Sequence, residues 1–208
     1  MRSRRRTWTV AGSGLIGCAV LGMLQDGLVG TPGPAALAVV TDLVYAASVI
    51  LFAVGLSAAA SVVHRQALGL FALFVVALWP LTNTVISPLL PTASPSDLTS
   101  ATIYGYVSLV VPVAAGLIAA VQIARADVVP HPWRWAPLGV LVFHAIVWAV
   151  PQIGFAAAGP APDVQAFAAP LSMLGMLAFL AHTLGLGILA VVLATRERPE
   201  SVEVFRSV

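Results

Sequence analysis

Lysine is absent from this chain, and all ten of its basic residues are arginine. Without a lysine amine there is no Schiff base, which excludes a retinal photoreceptor of the usual kind. Cysteine occurs once, at Cys18, so no internal disulfide, paired-cysteine redox motif or zinc cluster can form. Charge is scarce too. Only 9% of the 208 residues are charged, against about 25% in soluble domains, so an ordinary globular protein is excluded. GxSxG, HExxH, Walker and DxxxD patterns are missing, and the chain leans away from an enzyme.

What remains is apolar. Sixty per cent of the residues are hydrophobic and the mean hydropathy is +0.99. Several runs approach the ~20 residues that a helix needs to cross a hydrocarbon core. The expected fold is an all-α integral membrane protein, a bundle of six transmembrane helices. The spans fall at roughly 9–28, 42–63, 68–89, 101–124, 138–155 and 171–195, between a basic N-terminus at 1–8 and a tail at 196–208. The arginines support that count. Arg2, Arg4, Arg5 and Arg6 precede the first span, Arg65 follows the second, Arg125 and Arg134 follow the fourth, and Arg196, Arg198 and Arg206 follow the sixth. The three other connections hold no basic residue. Such alternation implies both termini in the cytoplasm, by the positive-inside rule. The Ala-, Val- and Arg-rich, lysine-free composition points to a bacterial plasma membrane. A pI near 9.2 would suit a nucleic-acid partner, but arginines at span ends orient a membrane protein, so the bilayer is the expected partner and nucleic acid is not.

The even spans end alike, as GLSAAASVVHR from Gly55, GLIAAVQIAR from Gly116 and GILAVVLATR from Gly187. Their approaches also match, as TDL at Thr41, SDL at Ser96 and PDV at Pro162. Three pseudo-repeated helical hairpins would explain the pattern, and so would chance similarity among Ala-, Val- and Leu-rich helices.

Candidate sites stand out because polar groups are expensive in hydrocarbon. Asp42, Asp97 and Asp163 each precede an expected helix start and read as N-terminal caps. Asp26 has no such role. It lies at the far end of span one, either inside an outer pocket or already in the headgroup layer. Gln25, Thr82, Asn83, Tyr104, Tyr106, Ser108 and Gln152 fall at a similar depth and would line an outward-facing pocket with it. His144 and His182 lie deeper on neighbouring spans, with Trp148 and Gln152 on the stripe of His144. Two such histidines could hold a b-type haem or a metal, or pass a proton. The alternative is two neutral rings hydrogen-bonded to each other, to Thr183 or to backbone carbonyls. Pro80, Pro112 and Pro151 interrupt spans near these residues, a pattern shared by transport sites and inert kinks. LIGC at Leu15–Cys18 resembles a lipobox, but the apolar run continues beyond it. Gly14, Cys18 and Gly22 form a small-residue stripe suited to helix packing.

The expected function is binding or translocation of a small solute, proton or lipid-like ligand through the outward-facing pocket. The alternatives are a haem-bearing electron-transfer subunit and a non-catalytic scaffold that docks a partner membrane subunit.

Overall fold

The first helix begins earlier than hydropathy suggests, because its basic end is already packed. In the computed structural model, which describes residues 2–27, 34–57, 60–89, 95–131, 133–158 and 164–196, α1 runs Arg2–Gly27. Thr7 and Trp8, expected in a cytoplasmic tail, are buried in α1. The Trp8 indole donates to the Ala60 carbonyl at 3.1 Å, and the Thr7 hydroxyl accepts the Leu56 N–H at 3.1 Å.

The remaining helices are α2 (Pro34–Val54), α3 (Ala67–Ile86), α4 (Pro95–Ala126), α5 (Ala136–Ala158), α6 (Val164–Leu180) and α7 (Leu186–Arg196). A π-helical turn, Ala181–Gly185, joins α6 to α7 into one span. Six helices are therefore long and apolar enough to cross a membrane, and the described residues contain no strand. These are the features of a multi-pass membrane protein. Helices are the available solution for an open chain in lipid, since each satisfies its own backbone groups.

The second span differs from expectation. Hydropathy places it at 42–63, and α2 occupies 34–54. Gly55 stops it, with φ +63°, and a Cβ there would lie 2.5 Å from the Ser61 backbone nitrogen. The chain then folds back onto the end of α2 and satisfies its orphan carbonyls. Val62 N–H donates to Phe52 O at 3.1 Å, Ser61 Oγ to Ala53 O at 2.5 Å, and Arg65 Nε to Val54 O at 3.0 Å. Ala60, Val62 and Val63 are apolar because this turn is buried, not because it is helical. Hydropathy averages polarity over a window and so runs past the stop.

Two corrections follow. Asp42 is no cap: it lies inside α2, where its carboxylate accepts the Thr84 hydroxyl of α3 at 2.5 Å. The repeat also fails at its first unit, since Gly55 ends a helix whereas Gly116 and Gly187 lie within α4 and α7. Asp97 lies inside α4, which starts at Pro95 and not near 101, so it does not precede the helix, and its side chain lies outside the described residues; Asp163 lies outside them altogether.

Each span packs on its chain neighbours, and α1 also packs on α7, so the six close into a ring. The seam is tight. A Cβ on Gly12 would come 2.8 Å from the Gly187 carbonyl oxygen, and one on Gly187 would come 2.8 Å from that of Gly12. On other faces of α1, Gly14 admits the Ser48 hydroxyl and Gly22 the ring of Phe179. Cys18 is fully buried between them, its Sγ donating to the Thr41 carbonyl at 3.3 Å. The glycine and cysteine stripe thus packs helices.

The connections sort to the two ends of the ring. Ser3 bonds Ser57 at 3.2 Å, Arg4 donates to the Val128 carbonyl at 2.5 Å, and His64 Nε2 donates to the Ala126 carbonyl at 3.0 Å. The start of α1, the turn after α2 and the connection after α4 therefore meet at one end, beside Arg196. This is the arginine end. Asp42, Thr84, Asn83 and Tyr104 lie toward the opposite one.

Candidate functional site

A ring of six helices leaves room at its centre. A cavity of about 530 Å³ is lined by side chains from every span, most of them apolar. Its lining on α4 runs from Gly105 to Ile123, about 27 Å at 1.5 Å rise per residue, close to a ~30 Å hydrocarbon core. Polar groups enter it at a few levels only.

The level farthest from the arginines is built on α3 and α4. Asn83 Oδ1 accepts the Tyr104 hydroxyl at 2.6 Å and the Ser108 hydroxyl at 3.2 Å. Asn83 and Ser108 line the cavity and Tyr104 braces the amide from behind. Two prolines sit beside them. Pro80 in α3 and Pro112 in α4 face the cavity, and each removes one helical N–H. The carbonyls of Val76 and Ser108, four residues earlier in each helix, thereby lose their usual donor.

The middle level is a pair that sequence reasoning missed. The Tyr45 hydroxyl and His182 Nε2 are 2.9 Å apart, with the two rings packed edge to face. His182 lies in the π-helical turn, a local widening that recurs at functional sites. His144 and Trp148 of α5 line the same cavity. The partner of His182 is therefore not Thr183, whose hydroxyl bonds its own helix at the Phe179 carbonyl, 2.8 Å away. The Tyr45 contact also occupies one of the two ring nitrogens through which a haem or metal would be held. Among the described residues no group of three or more His, Cys, Asp or Glu side chains could hold a metal ion. A signal for Tyr45 existed, since a tyrosine at mid-span needs a partner for its hydroxyl. With span two at 42–63, Tyr45 falls at the interface, where its hydroxyl reaches water and needs no such partner.

Other expected members fall elsewhere. Thr82 bonds back to the Leu78 carbonyl of its own helix at 3.0 Å and does not join Asn83. Gln25 is half-buried near the end of α1 and does not line the cavity. Tyr106 points outward, 65% exposed. The backbones of Asp26 and Gln152 belong to α1 and α5, and their side chains lie outside the described residues.

The class defined by fold and site is a six-span helical ring around an apolar cavity with sparse polar levels. Comparison with protein-family models, with curated proteins and with solved structures gives no match.

Proposed function

We propose that the chain is a bacterial plasma-membrane protein, with its arginine end and both termini in the cytoplasm, that binds a lipid-like small molecule in the central cavity. One observation carries this reading: the cavity is apolar, crosses most of the bundle and, at about 530 Å³, falls within the ~300–1,000 Å³ of ordinary ligand sites. A polar solute or a free ion would leave most of that lining unmatched. Asn83 and the Tyr45–His182 pair supply the few polar groups that orient a ligand in such sites. The arginine alternation supports the orientation.

The test uses the tryptophans, four of which (Trp8, Trp79, Trp133 and Trp148) line the cavity. Brominated fatty alcohol is titrated into the purified chain in neutral detergent while tryptophan fluorescence is read. Saturable quenching is expected, weakened tenfold or more when Val113→Phe and Ala145→Phe fill the cavity. Linear quenching of equal slope in both proteins would mean partition into the micelle only, and would overturn the reading.

A further inference from the structure

Hydrogen-bonding groups gather toward the end of the central cavity remote from the arginines, and several of them are unspent. On α4 the lining beyond Ser108 is apolar as far as Ile123, about 22 Å at 1.5 Å rise per residue. On the sixth span it is likewise apolar from Leu186 to Leu193. The cavity thus has a polar head end and a long apolar tail end.

The head end offers donors on two sides. Asn83 stands on the third span, its Oδ1 already accepting the Tyr104 and Ser108 hydroxyls. Both lone pairs are used, so the amide presents its two N–H groups to the cavity. His182 stands on the sixth span, across the ring of six from the third. The Tyr45 hydroxyl has no other acceptor among the described residues, so it donates to Nε2 of His182. The neutral ring then carries its proton on Nδ1, which has no partner among those residues. His144, on the adjoining fifth span, lines the cavity with neither nitrogen bonded to a described residue. Unpaired donors in an apolar cavity match a ligand that accepts.

Charge is not part of this match. Residues 7–64, 66–124 and 135–195 contain no arginine, so an anionic head at this level finds no basic partner. Asp42 is bonded by Thr84 and stays outside the lining.

Resting on the cavity reading above, we infer that the ligand is a neutral long-chain lipid whose head carries two opposed carbonyl oxygens, as a substituted para-quinone does. Asn83 donates to one carbonyl and the His144–His182 side to the other, while the tail runs toward the arginine end. Trp148, four residues beyond His144, also lines the cavity and gives a flat ring an aromatic wall.

The experiment titrates four probes into the full chain in neutral detergent by calorimetry, with empty micelles subtracted. They are a fully substituted decyl benzoquinone, 2-hexadecanone with one carbonyl, decylbenzene with none, and hexadecanoate with a charged head. The quinone is expected to bind at least tenfold tighter than decylbenzene, with the ketone between them. His144→Phe and Asn83→Leu should each cut that ratio threefold or more. Decylbenzene should bind both variants as it binds the unaltered chain, which shows that the cavity still forms. Equal binding of quinone and decylbenzene would overturn the head site while leaving the cavity reading intact. A ketone as tight as the quinone would overturn the two-sided head, and tighter hexadecanoate would overturn the neutral one. No saturable binding by any probe would sink the cavity reading itself. His182 is a poorer position to change, since it also holds the Tyr45 hydroxyl.

Discussion

A single methyl group separates two kinds of glycine on α1. Gly12 faces the Gly187 carbonyl at a distance no Cβ tolerates, whereas a Cβ on Gly17 meets nothing within 4 Å. Gly12→Ala is therefore expected to destabilise the bundle by about 1–3 kcal/mol, the usual cost of overpacking. Gly17→Ala should be neutral or stabilising by up to ~1 kcal/mol, through helix propensity. Unfolding in a graded denaturing detergent, followed by circular dichroism, separates the two; equal effects would contradict the seam. The Tyr45–His182 pair makes a second prediction at this scale. A double-mutant cycle of Tyr45→Phe and His182→Ala should give a coupling of about 0.6 kcal/mol and no more than ~1.7 kcal/mol, the mean and the maximum measured for interhelical hydrogen bonds in a membrane protein. Asn83→Leu should cost more than Tyr104→Phe, because it strips the acceptor from two hydroxyls at once.

At the scale of the element, most of what hydropathy and arginine placement indicate agrees with the helices. Spans three to six fall within a few residues of expectation at their arginine ends, and the sixth holds together through its π-helical turn. The second does not, and the reason is local. Its stop depends on one backbone angle at Gly55 and on carbonyls capped by Ser61, Val62 and Arg65, none of which alters the average polarity of the run. Gly55→Ala is expected to destabilise by more than ~1 kcal/mol, since a side chain there is strained by its φ and by contact with Ser61. Thermal unfolding in mild detergent measures it. The eight-residue shift carried Asp42 from a cap into mid-helix and Tyr45 from the boundary into the core. A small error in one element thus concealed half of the middle polar level.

For the whole molecule, the ring is uneven. None of residues 133–150 on the α5 side is buried, while the other five spans bury 22–39% of their windows. The α5 wall is the weakest, and it carries His144 and Trp148 into the cavity. Truncations on its outer surface, such as Val142→Ala or Ile146→Ala, should cost no more than ~0.5 kcal/mol. Leu15→Ala on α1 removes a side chain only 4% exposed and should cost about 2–5 kcal/mol. A detergent-unfolding series over these three variants checks the asymmetry, and equal losses would refute it. The proposed orientation is open to reporters fused at either terminus, which should be active only as cytoplasmic fusions.

The number of spans and the alternation of arginines were legible without a structure because hydrocarbon thickness and charge transfer act on residues singly, in order along the chain. Candidate polar residues were legible for the same reason: Asn83, Tyr104, His144 and His182 are costly wherever they lie in an apolar span. Which of them meet is another matter. Tyr45 and His182 are 137 positions apart, Arg4 and Val128 are 124 apart, and Gly12 reaches Gly187 only when the first and last spans close the ring. Those contacts depend on how helices rotate and where each one stops. The central cavity exists only once that closure has occurred.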